Sequence, residues 1–492
     1  MTIWPLQPIL FEVNTWVWLD ELRRRYGKGM TLGDVPAEVW DGLACRGIDA
    51  VWLMGVWERS PEGIGIIMAN ETIVAGFRRI LPDFVPEDNV GSPYCIRRYV
   101  VDSRLGGPEG LAIARRELAR RGVRLILDFV PNHVAPDHSW TVDHPEYFIQ
   151  GDEGDLKRDP QAFMAVGGRI FARGRDPYFP AWPDVLQLNV FSPALRLAVL
   201  ETLENIAGQC DGVRCDMAML VINDIFEKTW GHRAGVRPAS EYWPDVIGSV
   251  RSGYPDFLFL AEAYWDREWD LQSQGFDFCY DKKLYDRLIS GPATSVAGHL
   301  RAEAAYGDRL CRFIENHDEP RAAHAFPGLK ARAAAVVMAT IPGARLFHEG
   351  QFSGRTVRLP VFLARRPEEP VDDALEAFYG RLSAIIRLPC LREGDWCLCD
   401  ATGWPDNRSF ENLIAWFWSR GDERILVVVN YSEKAAQGRI RIPGIEPSGK
   451  MWRLTDLFTD TVYDRTDEDM SGAGLYVDLS GWGFHLFSLF HG

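Results

Sequence analysis

Four short stretches of this 492-residue chain set acidic side chains beside His, Asn or Arg, or at the end of an apolar run. They are Asp128-Phe-Val-Pro-Asn132-His133, Gly212-Val-Arg214-Cys-Asp216, Leu260-Ala-Glu262 and Glu315-Asn316-His317-Asp318. Singly, each is ordinary. An Asp at a strand end usually bonds a loop, and an Arg two residues from an Asp is usually a surface pair worth little. Together they suggest chemistry. Arg214 and Asp216 share strand parity, so their side chains point to one side. With Glu262 and Asp318 they can converge on one pocket mouth. Three carboxylates there would repel one another without donors. Arg214, His133 and His317 supply donors that keep some of them ionised. One carboxylate can then stay protonated beside an ionised partner, as glycoside hydrolysis requires.

The elements that must hold these residues follow from the hydrophobic pattern. Over the first 390 residues, short apolar runs alternate with helical stretches. Runs at 11–14, 50–55, 124–130, 212–216, 257–262, 276–280, 311–316 and 345–348 read as strands, and 37–46, 106–122, 193–207, 329–340 and 371–388 as helices. Continuous apolar strands separated by helices imply a parallel sheet, and eight of them imply a closed (β/α)8 barrel. The polar, aromatic stretch 134–190 reads as a lobe inserted after strand three, and 58–89 as a long loop after strand two. Beyond 391, short strands spaced by turns read as a small antiparallel β domain. The expected class is therefore α/β. A TIM barrel (1–133 and 191–390) carries an inserted lobe, domain B (134–190), and a C-terminal β-sandwich (391–492).

Composition narrows the partners. Lys and Arg number 54 against 69 Asp and Glu, a formal charge of -15, which argues against a nucleic-acid partner. Eighteen Trp suit a carbohydrate partner, although most Trp serve cores. Nine scattered Cys lack metal-ligand spacing and read as reduced thiols in a cytoplasmic protein. No leader peptide and no membrane span is expected. The expected partner is a small-molecule carbohydrate, with the oligomeric state left open.

These residues carry a resemblance. DFVPNH, GVRCD, AEAYW and ENHD, in that order, resemble the four signature regions of the α-amylase family, glycoside hydrolase family thirteen. The stretch from Gly91 through Tyr94 to Tyr99 resembles the family's segment bearing the aromatic floor of the glucose pocket. Trp182-Pro-Asp-Val-Leu-Gln-Leu-Asn189 resembles its extra motif in the inserted domain.

The resemblance implies roles. Asp216 is the nucleophile that forms a β-linked glycosyl-enzyme, and Glu262 the general acid and then base. Asp318 binds hydroxyls of the sugar being cleaved. Arg214 positions Asp216, His133 and His317 bind hydroxyls, and Tyr94 stacks on the sugar face. Asp128 is structural, and Asn132 matches a calcium ligand of the family. The chain departs from the family pattern after the nucleophile. Many endo-acting amylases place Lys-His three and four residues on, whereas this chain has Met219-Leu220. Two polar acceptor contacts are thereby missing, and the resemblance is closer to members acting on short substrates. The expectation is a retaining hydrolase or transglycosylase on short α-glucosides that requires no cofactor. No metal ligand is assigned, and calcium is left open by Asn132 and the Leu220 carbonyl. The alternatives are a rearranging enzyme of trehalose-synthase or sucrose-acting type and a non-catalytic carbohydrate-binding protein.

Overall fold

The computed structural model describes residues 4–27, 29–445 and 451–491. The outer ends of the expected domain ranges, residues 1 and 492, lie outside these. Eight strands close into a barrel in chain order: Ile9–Asn14, Ala50–Met54, Arg124–Phe129, Gly212–Cys215, Leu258–Ala261, Phe278–Tyr280, Leu310–Arg312 and Ala344–His348. The eight expected strands are these, each within a few residues. They are buried on both faces, the reason they read as unbroken apolar runs.

Two compact units make up the chain. One comprises residues 11–280 and 358–368, the other 1–10, 281–357 and 369–492. In the first, the strand Gly212–Cys215 lies parallel between Arg124–Phe129 and Leu258–Ala261, with Arg214 opposite Asp128 and Leu260. Gly212 is needed for that approach, because a Cβ there would lie 2.9 Å from the Leu258 side chain and carbonyl. The preceding helix, Pro193–Ala207, starts on a Ser192 cap with Pro in its first turn and buries Leu195, Val199, Leu203 and Ile206.

The segment after strand two is not a loop. It folds as the strand Trp57–Arg59 and two helices, Pro61–Met68 and Glu71–Ile80. Ser60 caps the first by accepting from Gly63 N–H, and Asn70 caps the second. Ile67, Phe77, Leu81 and Leu363 bury its apolar side. Each helix is two to three turns long, too short for its periodicity to stand out in sequence. Within 134–190, two small antiparallel pairs form, His133–Val134 with Leu186–Gln187 and Phe163–Val166 with Arg169–Ala172.

In the second unit, Leu329–Thr340 is a nearly all-buried helix. The C-terminal region is one antiparallel sheet of eight strands in the order 462–466, 451–456, 484–491, 423–430, 413–420, 395–402, 436–441, 475–479. Phe417, Leu426, Val428, Trp452, Leu454 and Leu489 share its core. Trp416 and Trp418 donate their indole N–H to the Thr340 carbonyl at 3.1 and 2.7 Å, tying the sheet to that helix. Among the described residues no disulfide forms, and no helix is long and apolar enough to cross a membrane.

Candidate active site

Strand four ends in Arg214 and Cys215 with Asp216 the next residue, and strand five ends at Ala261 with Glu262 the next residue. Arg214 is fully buried between the two acids. Its Nη1 donates to Asp216 Oδ1 at 2.8 Å, and its Nη2 lies 2.7 Å from Glu262 Oε2. The guanidinium faces the rings of Tyr94, Trp52 and Tyr280, whose centroids are 5.1, 5.3 and 5.8 Å away. Burial works against its charge. Glu262, the Tyr94 and Tyr280 phenols and Asp216 more than offset that, and the guanidinium sits well above its ordinary range. A permanent cation therefore joins both carboxylates.

Backbone geometry adds a donor. Met217 takes a left-handed conformation, φ 42°, that a non-glycine residue rarely adopts. Its N–H reaches Glu262 Oε2 at 2.6 Å. The Glu262 backbone carbonyl accepts from Ala218 N–H at 3.1 Å. The ends of strands four and five are thus stitched together next to the two acids.

The remaining residues read from sequence take these places. Asp128 accepts from Trp52 Nε1 at 3.1 Å and Gly55 N at 2.8 Å and is wholly buried, a supporting group. Tyr94 is half-buried, and its N–H bonds Ser92 Oγ. The buried His133 ring lies 5.0 Å from the Trp182 ring. Burial pushes the His133 imidazole down to about 3, against a lift from the Tyr94 backbone, so it is neutral at neutral pH. In the other unit, His317 Nε2 is 2.9 Å from Asp318 Oδ2, and Asn316 Oδ1 accepts from the backbone N–H of Asp318 and Glu319. His317 is buried, whereas the Asp318 side chain is 41% exposed and open to solvent. Met219 and Leu220 are buried in the short helical turn Ala218–Val221, so neither offers a polar group to a ligand.

Asn132 does not fit a calcium ion. Its side-chain oxygen, its backbone carbonyl and the Leu188 carbonyl converge on one atom, Gln187 Nε2, at 2.8, 3.0 and 3.0 Å. An amide donor therefore stands where a cation would have to stand, and it satisfies the oxygens a cation would use. Gln187 Oε1 in turn accepts from Asn132 Nδ2 at 3.2 Å.

Sequence reasoning missed three contributors. Met217 acts through a backbone group whose type carries no signal. Tyr264 donates from its hydroxyl to Glu262 Oε1 at 3.1 Å, although it lies inside a motif already singled out. Gln187 lies in the Trp182–Asn189 motif, but only the fold shows what its amide faces.

No sequence-family profile matches the chain. The α-amylase MalA of Haloarcula japonica is 25% identical over 367 residues, covering 71% of this chain and 45% of that protein. The α-1,4-glucan:maltose-1-phosphate maltosyltransferase of Rhodospirillum rubrum is 26% identical over 252 residues, 48% of this chain and 29% of that protein. Among solved structures, the maltogenic α-amylase AmyB of Thermotoga neapolitana superposes with a TM-score of 0.69 at 19% identity, covering 98% of both chains. Signature regions, relatives and full-length fold agree. In these regions, in its curated relatives and in its fold the chain is similar to members of the α-amylase family. It spans about half the length, or less, of the first curated relatives it matches.

Proposed function

We propose that this chain is an enzyme of the α-amylase family, a retaining glycoside hydrolase or transglycosylase acting on α-glucosidic bonds of short α-glucosides. The observation that carries this reading is Arg214 held between Asp216 and Glu262. A shared guanidinium keeps the two acids close, in line with the separation of about 5–5.5 Å that retaining enzymes need. Glu262 gives its proton to the glycosidic oxygen while Asp216 attacks the anomeric carbon. The bond to the leaving oxygen breaks and a β-linked glycosyl-enzyme forms. Glu262, now ionised, takes a proton from water or a sugar hydroxyl, whose oxygen attacks the same carbon and releases Asp216. Asp318, His317 and His133 are assigned to hydroxyls of the sugar being cleaved, and Tyr94 to its face.

Buried Met219 and Leu220 in place of a Lys and a His favour small acceptors. The relatives named maltosyltransferases support transfer as an outcome beside hydrolysis. The Gln187 amide in the oxygen cluster supports activity without calcium at Asn132. Cysteine usage supports a cytoplasmic location.

The test is product analysis. Maltose, maltotetraose, trehalose, sucrose and soluble starch are offered singly, and maltose 1-phosphate with a glucan acceptor. Proton NMR then reads the first-formed anomer. An α-anomer from an α-linked substrate, with higher kcat/KM on the short substrates, is expected. A β-anomer appearing first would end the retaining assignment, and a strong preference for starch would end the short-substrate one.

A further inference from the structure

Glu262 meets different donors on its two oxygens. Oε2 faces Arg214 Nη2 at 2.7 Å and Met217 N–H at 2.6 Å. Oε1 accepts from the Tyr264 hydroxyl at 3.1 Å. An oxygen already facing a guanidinium and a backbone N–H is a poor place for a proton. Protonation therefore falls on Oε1.

The segment that brings Tyr264 back onto Glu262 is built for the purpose. Trp265 and Asp266 follow it with φ 59° and 64°, two successive non-glycine residues in the left-handed region. Such strain persists only where surrounding contacts hold it. Here Arg267 N–H closes the turn onto the Tyr264 carbonyl at 3.3 Å. The Arg267 guanidinium pairs with Asp270 in the same segment and with Asp224 from the helix Asn223–Trp230.

We propose that Tyr264 is a positioning residue for the acid–base group, setting both the oxygen of Glu262 that carries the catalytic proton and the direction in which that proton points. With the phenol donating to one lone pair of Oε1, the proton takes the other. The same bond favours ionised Glu262, so it aids the base step and lowers the pH at which the acid is lost. This rests on the assignment of Glu262 as general acid.

Among the charged and titratable groups around Glu262, Arg214 and Tyr264 contact it, Asp216 shares Arg214 with it, and the Tyr94 and Tyr280 rings face Arg214. Tyr264→Phe leaves the others in place. On an α-glucoside with a poor leaving group, the alkaline limb of kcat/KM should move up by about one pH unit, because the acid now holds its proton longer. A fall in activity equal at every pH, with the limb unmoved, would overturn the proposal. Should Tyr264→Phe fail to fold, 3-fluorotyrosine at this position is a stronger donor and should move the limb down; an unmoved limb again overturns it. An α-glucosyl fluoride separates the two readings, because fluoride needs little protonation to leave. The alkaline limb should vanish for the wild type on the fluoride. A limb that persists there removes Glu262 as the acid. A limb that vanishes there, yet does not move in Tyr264→Phe on the α-glucoside, removes Tyr264 alone.

Discussion

Arg214 offers the sharpest test of the site, through two substitutions that separate its charge from its shape. Its two terminal nitrogens serve two different carboxylates, at 2.8 Å and 2.7 Å, and the side chain has no exposure to water. Arg214→Lys keeps the charge on a single nitrogen, which cannot reach both acids in that geometry. A contact to a charged group contributes about 1.5–3 kcal/mol. At 1.36 kcal/mol per tenfold, losing one such contact in the transition state lowers kcat/KM by about 10- to 150-fold. Arg214→Met also removes the charge and leaves two buried carboxylates facing each other. Taking one partner from a buried ion pair costs about 3–5 kcal/mol, or roughly a hundred- to several-thousand-fold if expressed in the rate. The pair would relieve its repulsion by holding a proton, so the Met variant should also need a higher pH to ionise its nucleophile. The assay is kcat/KM on an α-glucosyl fluoride and on maltose from pH 4 to 9, with circular dichroism to establish folding. A folded Met variant within tenfold of the wild type, or equal losses for Lys and Met, would refute the claim that one shared cation organises both acids.

Other outcomes follow from the same geometry. Asp216→Asn and Glu262→Gln should each lower kcat on maltose by several orders of magnitude, but on an α-glucosyl fluoride Glu262→Gln should retain much of its first step and Asp216→Asn should not; equal losses would contradict the assignment. EDTA should leave the wild-type Tm unchanged, whereas Gln187→Glu, which faces three oxygens with a fourth, should melt several degrees lower and recover with added calcium. A wild-type Tm that falls in EDTA would contradict the amide's place there. His138 is pushed down to about 4 by burial, and its Nδ1 accepts from Trp140 N–H at 3.1 Å, so it folds as a neutral ring. Its stabilising contribution is present above about pH 6.5 and is lost as pH falls toward 4, up to about 3 kcal/mol. Tm measured at pH 7 and pH 4.5 should fall less in His138→Gln than in the wild type, and parallel falls would remove His138 as the cause.

Much of the architecture was legible in the chain itself. Each barrel strand is a short, fully buried run, and runs such as Leu125–Phe129 cannot be read any other way once helices are seen to alternate with them. The candidate acids were legible for a related reason. A barrel places the ends of its strands at one rim, so Asp216 and Glu262 stood out merely by ending theirs. The C-terminal strands were legible as short runs spaced by turns, and Leu475–Leu479 folds as one whose buried and exposed residues alternate strictly. The two helices at 61–80 were not, because their caps and apolar spacing extend over too few turns to outweigh the Gly and Pro among them.

What the tertiary structure decided concerns groups whose identity carries no message. The N–H of Met217 becomes a donor to Glu262 only because a strained turn points it there. Tyr264 could have stacked on a sugar or filled a core; the turn at Trp265 and Asp266 makes it a partner of Glu262 instead. Asn132 matched a calcium ligand in sequence, yet an amide 55 residues away, Gln187, takes up its oxygen. Residue types and spacing determine which elements form and which acids reach the rim, because burial and periodicity are local properties. Which donor meets which oxygen depends on contacts between segments far apart in the chain, and only the folded chain sets those distances.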